Sequence, residues 1–218
     1  FEQCDRFGML VAAEFPMTYN LADYRFAPAE AETYYRHALA DACAWVEALA
    51  VHPSVALWVP MNEPTRSADP FDQPGWQAVR AMDPSRPILR AGALTTDPAQ
   101  QPDFRDVHCY DGTEHGCEGD FAIAMERFAT AAPGDTRPMW NTEYLGIMDD
   151  RLGQRWFGED GQGFAQRMQH PGYAQLGQEQ TEVLRRLGFD GIMPYFLTLW
   201  IEPAKPWHPQ HPTPIHAA

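Results

Sequence analysis

Three segments follow one another near the start of the chain and restrict its fold more than any other feature. They are the run Met9-Leu-Val-Ala-Ala-Glu14, a helical pattern, and the run Val55-Ala-Leu-Trp-Val59. Both flanking runs are almost continuously apolar rather than alternating, as expected of parallel strands covered on both faces. Between them, Pro28 suits a first helical position, and Glu30 and Glu32 fall in the first turn, where the helix dipole favours acids. Tyr35, Leu39, Ala42, Trp45, Val46 and Leu49 then recur at helical spacing. His52-Pro53 stops the helix, and the second run begins at once. This is one βαβ unit.

The second run gives way abruptly to the polar pair Asn62-Glu63. A carboxylate placed where a buried strand emerges is costly to bury and easy to use. In parallel α/β folds that carboxyl end of a strand is where chemistry collects. A second such place is Met139-Trp-Asn-Thr-Glu-Tyr144, and Glu14 ends the first run in the same way. Position alone therefore nominates three acids: Glu14, Glu63 and Glu143.

The alternation of strands and helices continues less regularly. Phe1–Gly8 reads as the last turns of a helix closed by Gly8. Further strands are expected at 86–92, 106–110, 137–143 and 190–200, and helices at 75–82, 121–131 and 173–187, the last ended by Gly188. The Gly-rich segment 144–172, carrying Trp156-Phe157, is too long for an ordinary connection. Six strands alternating with helices imply a parallel sheet. The Gly-rich phosphate turns of doubly wound sheets are missing, since nothing matches GxGxxG or GxxxxGK[ST]. Acids, aromatics and His at strand ends suit a (β/α)8 barrel instead. No internal boundary or repeat is evident, so residues 1–203 are expected to form one barrel domain and 204–218 an irregular tail.

Composition narrows the function classes. With 218 residues the chain suffices for one substantial core or two small domains, and 44% apolar content suits a globular protein. The 30 acidic residues against 16 basic ones argue against nucleic acid or an anionic membrane surface as partner, because both require a basic patch. No apolar run approaches the roughly 18 residues of a membrane span. The 20 prolines and 7 tryptophans fit ordered, aromatic-lined loops. Cys4, Cys43, Cys109 and Cys117 lack CxxC spacing, which weighs against a zinc ribbon or redox pair. Cys4 and Cys43 are expected as small buried thiols, and a Cys109–Cys117 bridge is considered without being assumed. The tail residues His208, His211 and His216 lack acidic partners, so no metal or other cofactor is expected.

Two carboxylates at different strand ends, among aromatic residues, fit glycoside hydrolysis. One protonates the leaving oxygen while the other attacks the anomeric carbon or activates water. Trp and Tyr supply platforms for the C–H faces of sugars. Against this stands the ordinary fate of a Glu, a solvated surface residue. Glu63 and Glu143 depart from it because each directly ends an apolar strand.

Cys4-Asp-Arg-Phe-Gly-Met-Leu-Val11 with Glu14, then His52-Pro-Ser-Val-Ala-Leu-Trp58 with Asn62-Glu63-Pro64, resembles the catalytic barrel of glycoside hydrolase family 2. Thr142-Glu143-Tyr144-Leu145-Gly146 looks like that family's nucleophile strand. The resemblance covers roughly residues 1 to 200 and is thinnest from 145 to 172. It implies a retaining β-glycosidase acting on an oligosaccharide, polysaccharide or other β-glycoside. In the family's terms the chain begins just before strand three, giving a partial barrel of strands three to eight.

Residue roles implied by the resemblance follow from matching positions. Glu63 would be the general acid/base and Glu143 the nucleophile. Asn62 would hydrogen-bond the sugar 2-hydroxyl, and Tyr110 would donate to Glu143. His108 would line the same wall, since strand alternation sends it the same way as Tyr110; the plainer reading is a satisfied core histidine. Trp200 would floor the sugar subsite, Glu14 would orient or pair rather than react, and Trp156 would cover the site or merely anchor its loop. Trp58 is expected to pack the core. Two other readings remain open at this point: an inactive or carbohydrate-binding barrel fragment, and a family 5-like endo-glycanase.

Overall fold

A computed structural model describes residues 1–17, 27–64, 71–92, 103–109, 121–144 and 171–194, with 171–176 described in backbone only. Their contacts divide into two compact units. One comprises Phe1–His108 with Thr130–Trp140, the other Cys109–Ala129 with Asn141–Ala218.

The first unit opens with α1 (Glu2–Phe7). Gly8 closes it at φ 66°, a left-handed conformation that glycine adopts without steric cost. The Gly8 and Met9 amides donate back to the carbonyls of Asp5 and Cys4. Strand β1 (Val11–Glu14) follows, then α2 (Pro28–Leu49) and β2 (Val55–Val59). Pro28 begins α2 as expected, and Glu30 Oε2 accepts from the Ala27 amide at 3.1 Å, satisfying one orphan donor of the first turn. One stripe of α2, Ala31, Tyr35, Ala38, Ala42 and Val46, is buried.

Strands β1 and β2 pair in parallel, with Ala12 opposite Leu57 and Glu14 opposite Val59. Both faces of the pair are covered. Ala13, Val55 and Trp58 pack with Val46, with Ile88, and with Val79 of α3 (Asp72–Met82). Leu57 and Val59 pack with Leu89 and Ala91 in a separate cluster that Ala12, Phe104 and Trp140 border. This two-sided burial is what the unbroken apolar runs required. Trp58 is fully buried, as expected, with its indole N–H on Asp83 at 3.0 Å.

The segment expected as a strand at 86–92 lies parallel beside β2 but touches it only at isolated bridges, Trp58 with Ile88 and Asn62 with Ala91. The reason is Pro60. Trp58 exchanges hydrogen bonds with Pro87 and Leu89, and a regular ladder would next use the amide of residue 60. Proline has none to give. Beyond it the pattern slips by one residue: the Asn62 amide turns to Met17, and the Glu63 amide to Ala91.

The ends of the strands opposite their carboxyl termini are tied by ion pairs and hydrogen bonds. Asp5 Oδ2 meets His52 Nδ1 at 2.6 Å, and its Oδ1 accepts from the Ser54 amide. Arg86 donates to the carbonyls of Ala50, His52 and Val55, and to Asp83 at 2.6 Å. Farther along, Arg90 Nε donates to Asp72 Oδ2 at 2.5 Å, fastening the segment beside β2 to the start of α3.

Strand β3 (Arg105–His108) lies in the first unit, strand β4 (Met139–Tyr144) is divided between the two, and β5 (Gly191–Pro194) lies in the second. Their order is β3-β4-β5. In the second unit, α4 (Phe121–Thr130) buries Phe121, Ala124, Met125 and Phe128. Phe128 stacks on Phe189, and the Asn141 amide reaches the Met125 sulfur at 3.5 Å. Tyr144 and Thr181 of α5 (Pro171–Arg186) share a hydroxyl hydrogen bond at 2.8 Å.

Two cysteine expectations need correction. Cys4 and Cys43 are free, but both are only half-buried; the helix that carries Cys4 is short and buries none of its residues. Cys109, by contrast, is fully buried and disulfide-bonded. The remaining cysteine, Cys117, lies outside the described residues. Among those described, no helix is long and apolar enough to cross a membrane.

Candidate active site

The slip past Pro60 has a local result at Glu63. Its backbone adopts φ 47°, a left-handed conformation unusual for a residue with a side chain. Among the described residues no other non-glycine has positive φ. Strain of this kind costs on the order of 1–3 kcal/mol and persists only where surrounding contacts enforce it. Here the amide is fixed by Ala91 at 2.9 Å and the preceding one by Met17 at 2.8 Å. The carboxyl is only 4% exposed.

His108 comes to Glu63 from the end of β3. Its Nδ1 lies 2.6 Å from Glu63 Oε1, and the imidazole is 1% exposed. Two ligands of one tetrahedral ion stand about 3.3 Å apart for metal–ligand distances near 2.0 Å. The shorter contact is that of a direct hydrogen bond. On the other side of the ring, Nε2 is 3.9 Å from Asp106 Oδ2, too far for a hydrogen bond but close for an ion pair. Asp106 is itself buried and accepts from the Gly92 amide at 2.7 Å.

Gly92 serves twice. It adopts φ +62°, and a Cβ built there would lie 2.5 Å from His108 Nδ1. The imidazole therefore occupies space that any other residue at position 92 would fill. Neither Gly92 nor Asp106 was singled out from the sequence. Asp106 carried a usable signal, since it shares a strand face with His108 by alternation. Gly92 did not, because a glycine after an apolar run reads simply as a strand end.

Glu14, at the end of β1, keeps an exposed side chain, yet enough protein surrounds its carboxyl to raise its pKa by desolvation. His108 opposes the rise and Glu63 adds to it, so the three groups sense one another electrostatically. Asn62 is half-buried beside Glu63. The first unit thus brings together Glu14, Asn62, Glu63 and His108.

Glu143 belongs to the second unit, half-buried near the end of β4, where its carbonyl accepts from the Cys109 amide at 3.0 Å. Tyr110, Trp156 and Trp200 lie outside the described residues.

Parallel strands covered on both faces, with acids at their carboxyl ends, define a partial (β/α) barrel of the TIM type. The chain belongs to the glycosyl hydrolases family 2, whose TIM barrel domain matches residues 1–181. That membership separates it from the family 5-like reading. No curated protein matches the chain. Solved structures share its fold at low identity. A family 2 β-galacturonidase from Eisenbergiella tayi, bound to galacturonate, is 16% identical, with a TM-score of 0.62. The β-glucuronidases of Ruminococcus gnavus and Faecalibacterium prausnitzii are 20% and 19% identical, with TM-scores of 0.58 and 0.59. Each alignment covers 89% of this chain but only 33–34% of the structure matched, so the chain spans about a third of their length.

Proposed function

We propose that this chain carries the catalytic machinery of a retaining β-glycosidase, with Glu63 as general acid/base and Glu143 as nucleophile. The observation that supports this most directly is Glu63 itself. It is a buried carboxyl at a strand's carboxyl end, held in a strained backbone and hydrogen-bonded to a buried imidazole. Membership of family 2 supplies the reaction class, and the neighbours named above are a β-galacturonidase and two β-glucuronidases.

In the first step the Glu143 carboxylate bonds to the anomeric carbon while the bond to the leaving oxygen breaks. Glu63 gives that oxygen its proton. In the second step water attacks the anomeric carbon, Glu63 takes the water's proton, and the ester to Glu143 breaks. The two acids need opposite charge states at the outset, so their surroundings must hold their pKa values apart. Asn62, beside Glu63, is placed in sequence to bond the sugar 2-hydroxyl. Tyr110 would donate to Glu143, Trp200 would floor the subsite, and Trp156 would cover it. Glu14 would bias the charge around Glu63 rather than react.

Trapping with 2-deoxy-2-fluoro-β-glycosides of glucose, galactose and glucuronic acid tests the assignment. Covalent label is expected on Glu143 and lost in Glu143→Gln. Label that persists in Glu143→Gln would remove Glu143 from the role. Binding of β-glycosides by calorimetry without turnover would favour a carbohydrate-binding fragment instead.

A further inference from the structure

We infer that His108 is the positioning residue of the acid/base: its Nδ1–H donates to Glu63 Oε1, which leaves the transferable proton on Oε2. This rests on the assignment of Glu63 proposed above and goes beyond the sequence expectation that His108 lines the substrate wall.

Three observations place the ring rather than the substrate in this contact. The Nδ1···Oε1 distance is 2.6 Å between groups that are both nearly free of solvent. Gly92 leaves the space that the ring fills. Asp106, anchored by the Gly92 amide, lies on the Nε2 side. In the first unit the titratable groups facing the imidazole are therefore Glu63 from the end of β2, Asp106 from β3 and Glu14 from the end of β1. A 2.6 Å contact needs a hydrogen between Nδ1 and Oε1, and when Glu63 is ionised only the ring can supply it.

A donor at Nδ1 decides how the carboxyl works. When Glu63 is protonated, Oε1 accepts as the carbonyl oxygen and the acid proton sits on Oε2. When Glu63 is ionised, the same N–H holds Oε1 and stabilises the charge. The carboxyl plane then stays in one orientation through both steps, as a group that first gives and later takes a proton on the same face requires.

Two substitutions in the full chain test this: His108→Phe, which fills the space without a donor, and His108→Asn, which restores an amide N–H near the Nδ1 position. With methyl β-glycosides, whose departure needs acid, His108→Phe is expected to lose about 100-fold in kcat/KM. With dinitrophenyl β-glycosides, which leave unaided, its loss should be under about threefold, and His108→Asn should recover most of the methyl glycoside rate. Equal losses on both substrates, or no loss at all, would overturn the positioning role. Glu63→Gln lacking any leaving-group dependence would instead sink the assignment of Glu63. A readout independent of turnover is the His108 imidazole pKa by NMR. In that titration the His108 Nδ1–H resonance is expected well downfield in the parent and lost from that region in Glu63→Ala, and a parent without such a signal refutes the contact.

Discussion

At position 92 the smallest side chain decides the place of the largest polar group in the site. Gly92 combines a left-handed backbone with a Cβ position only 2.5 Å from the His108 ring. Gly92→Ala must therefore either displace the imidazole or move the backbone. The backbone conformation alone costs roughly 1–3 kcal/mol for a non-glycine residue. Urea unfolding should show a loss of at least that size, and the His108–Glu63 contact should weaken along with it. A variant as stable as the parent, with an unchanged imidazole pKa, would show that the ring has room to spare. Glu63 stood out in the sequence because a carboxylate directly follows a buried strand. His108 was expected on the wall of the site but not as the partner of Glu63, because it lies 45 residues away on another strand.

The elements are held in place chiefly where no chemistry is expected. Asp83, just past α3, receives the Trp58 indole N–H from β2, the Ser85 amide and hydroxyl, and Arg86. Burial alone would raise its pKa, but these hydrogen bonds outweigh it and hold the carboxyl well below the usual carboxylate range. Asp83→Ala strands a buried indole N–H and releases Arg86, so a loss of about 3 kcal/mol is expected in denaturant unfolding. Asp5 ties α1 to the start of β2 by hydrogen bonds from Ser54 and His52, which lower its pKa from 3.8 to about 2. Its folded pKa lies below its unfolded one, so its stabilisation is complete above 3.8 and fades as pH falls through about 2. Thermal melts across that window should show a shallower acid loss for Asp5→Asn than for the parent. An identical slope would mean that the contact does not act in solution.

Across the whole molecule, the two carboxyls that the proposed reaction needs belong to different compact units. A retaining mechanism requires their carboxyl groups about 5–5.5 Å apart, and an inverting one about 6.5–9.5 Å. A crystal structure of the full protein with a bound fluorosugar should show the shorter spacing. The longer one would reassign the mechanism. The Cys109 disulfide acts at the same scale, because Cys109 follows His108 and its amide holds the Glu143 carbonyl. Cys109→Ser removes this bond and should cost about 2–3 kcal/mol in denaturant unfolding. Reductant should bring the parent to the same midpoint, and a parent insensitive to reductant would show the bond to be dispensable.

The sequence by itself determined most of the described elements and, with the family resemblance, glycoside hydrolysis as the reaction class. Continuous apolar runs demanded parallel strands covered on both faces, helical spacing and Pro28 demanded α2, and acids at strand ends marked Glu63. These signals are local, and each is spelled by residues within one or two turns of chain. Tertiary structure decided what depends on distant residues meeting. It showed that Pro60, by lacking an amide hydrogen, breaks the ladder to the neighbouring segment and leaves Glu63 in a left-handed backbone. It also seated His108 in the gap at Gly92, against a carboxyl from another strand. Neighbouring residues cannot encode such a fit, because its geometry exists only once the strands lie side by side.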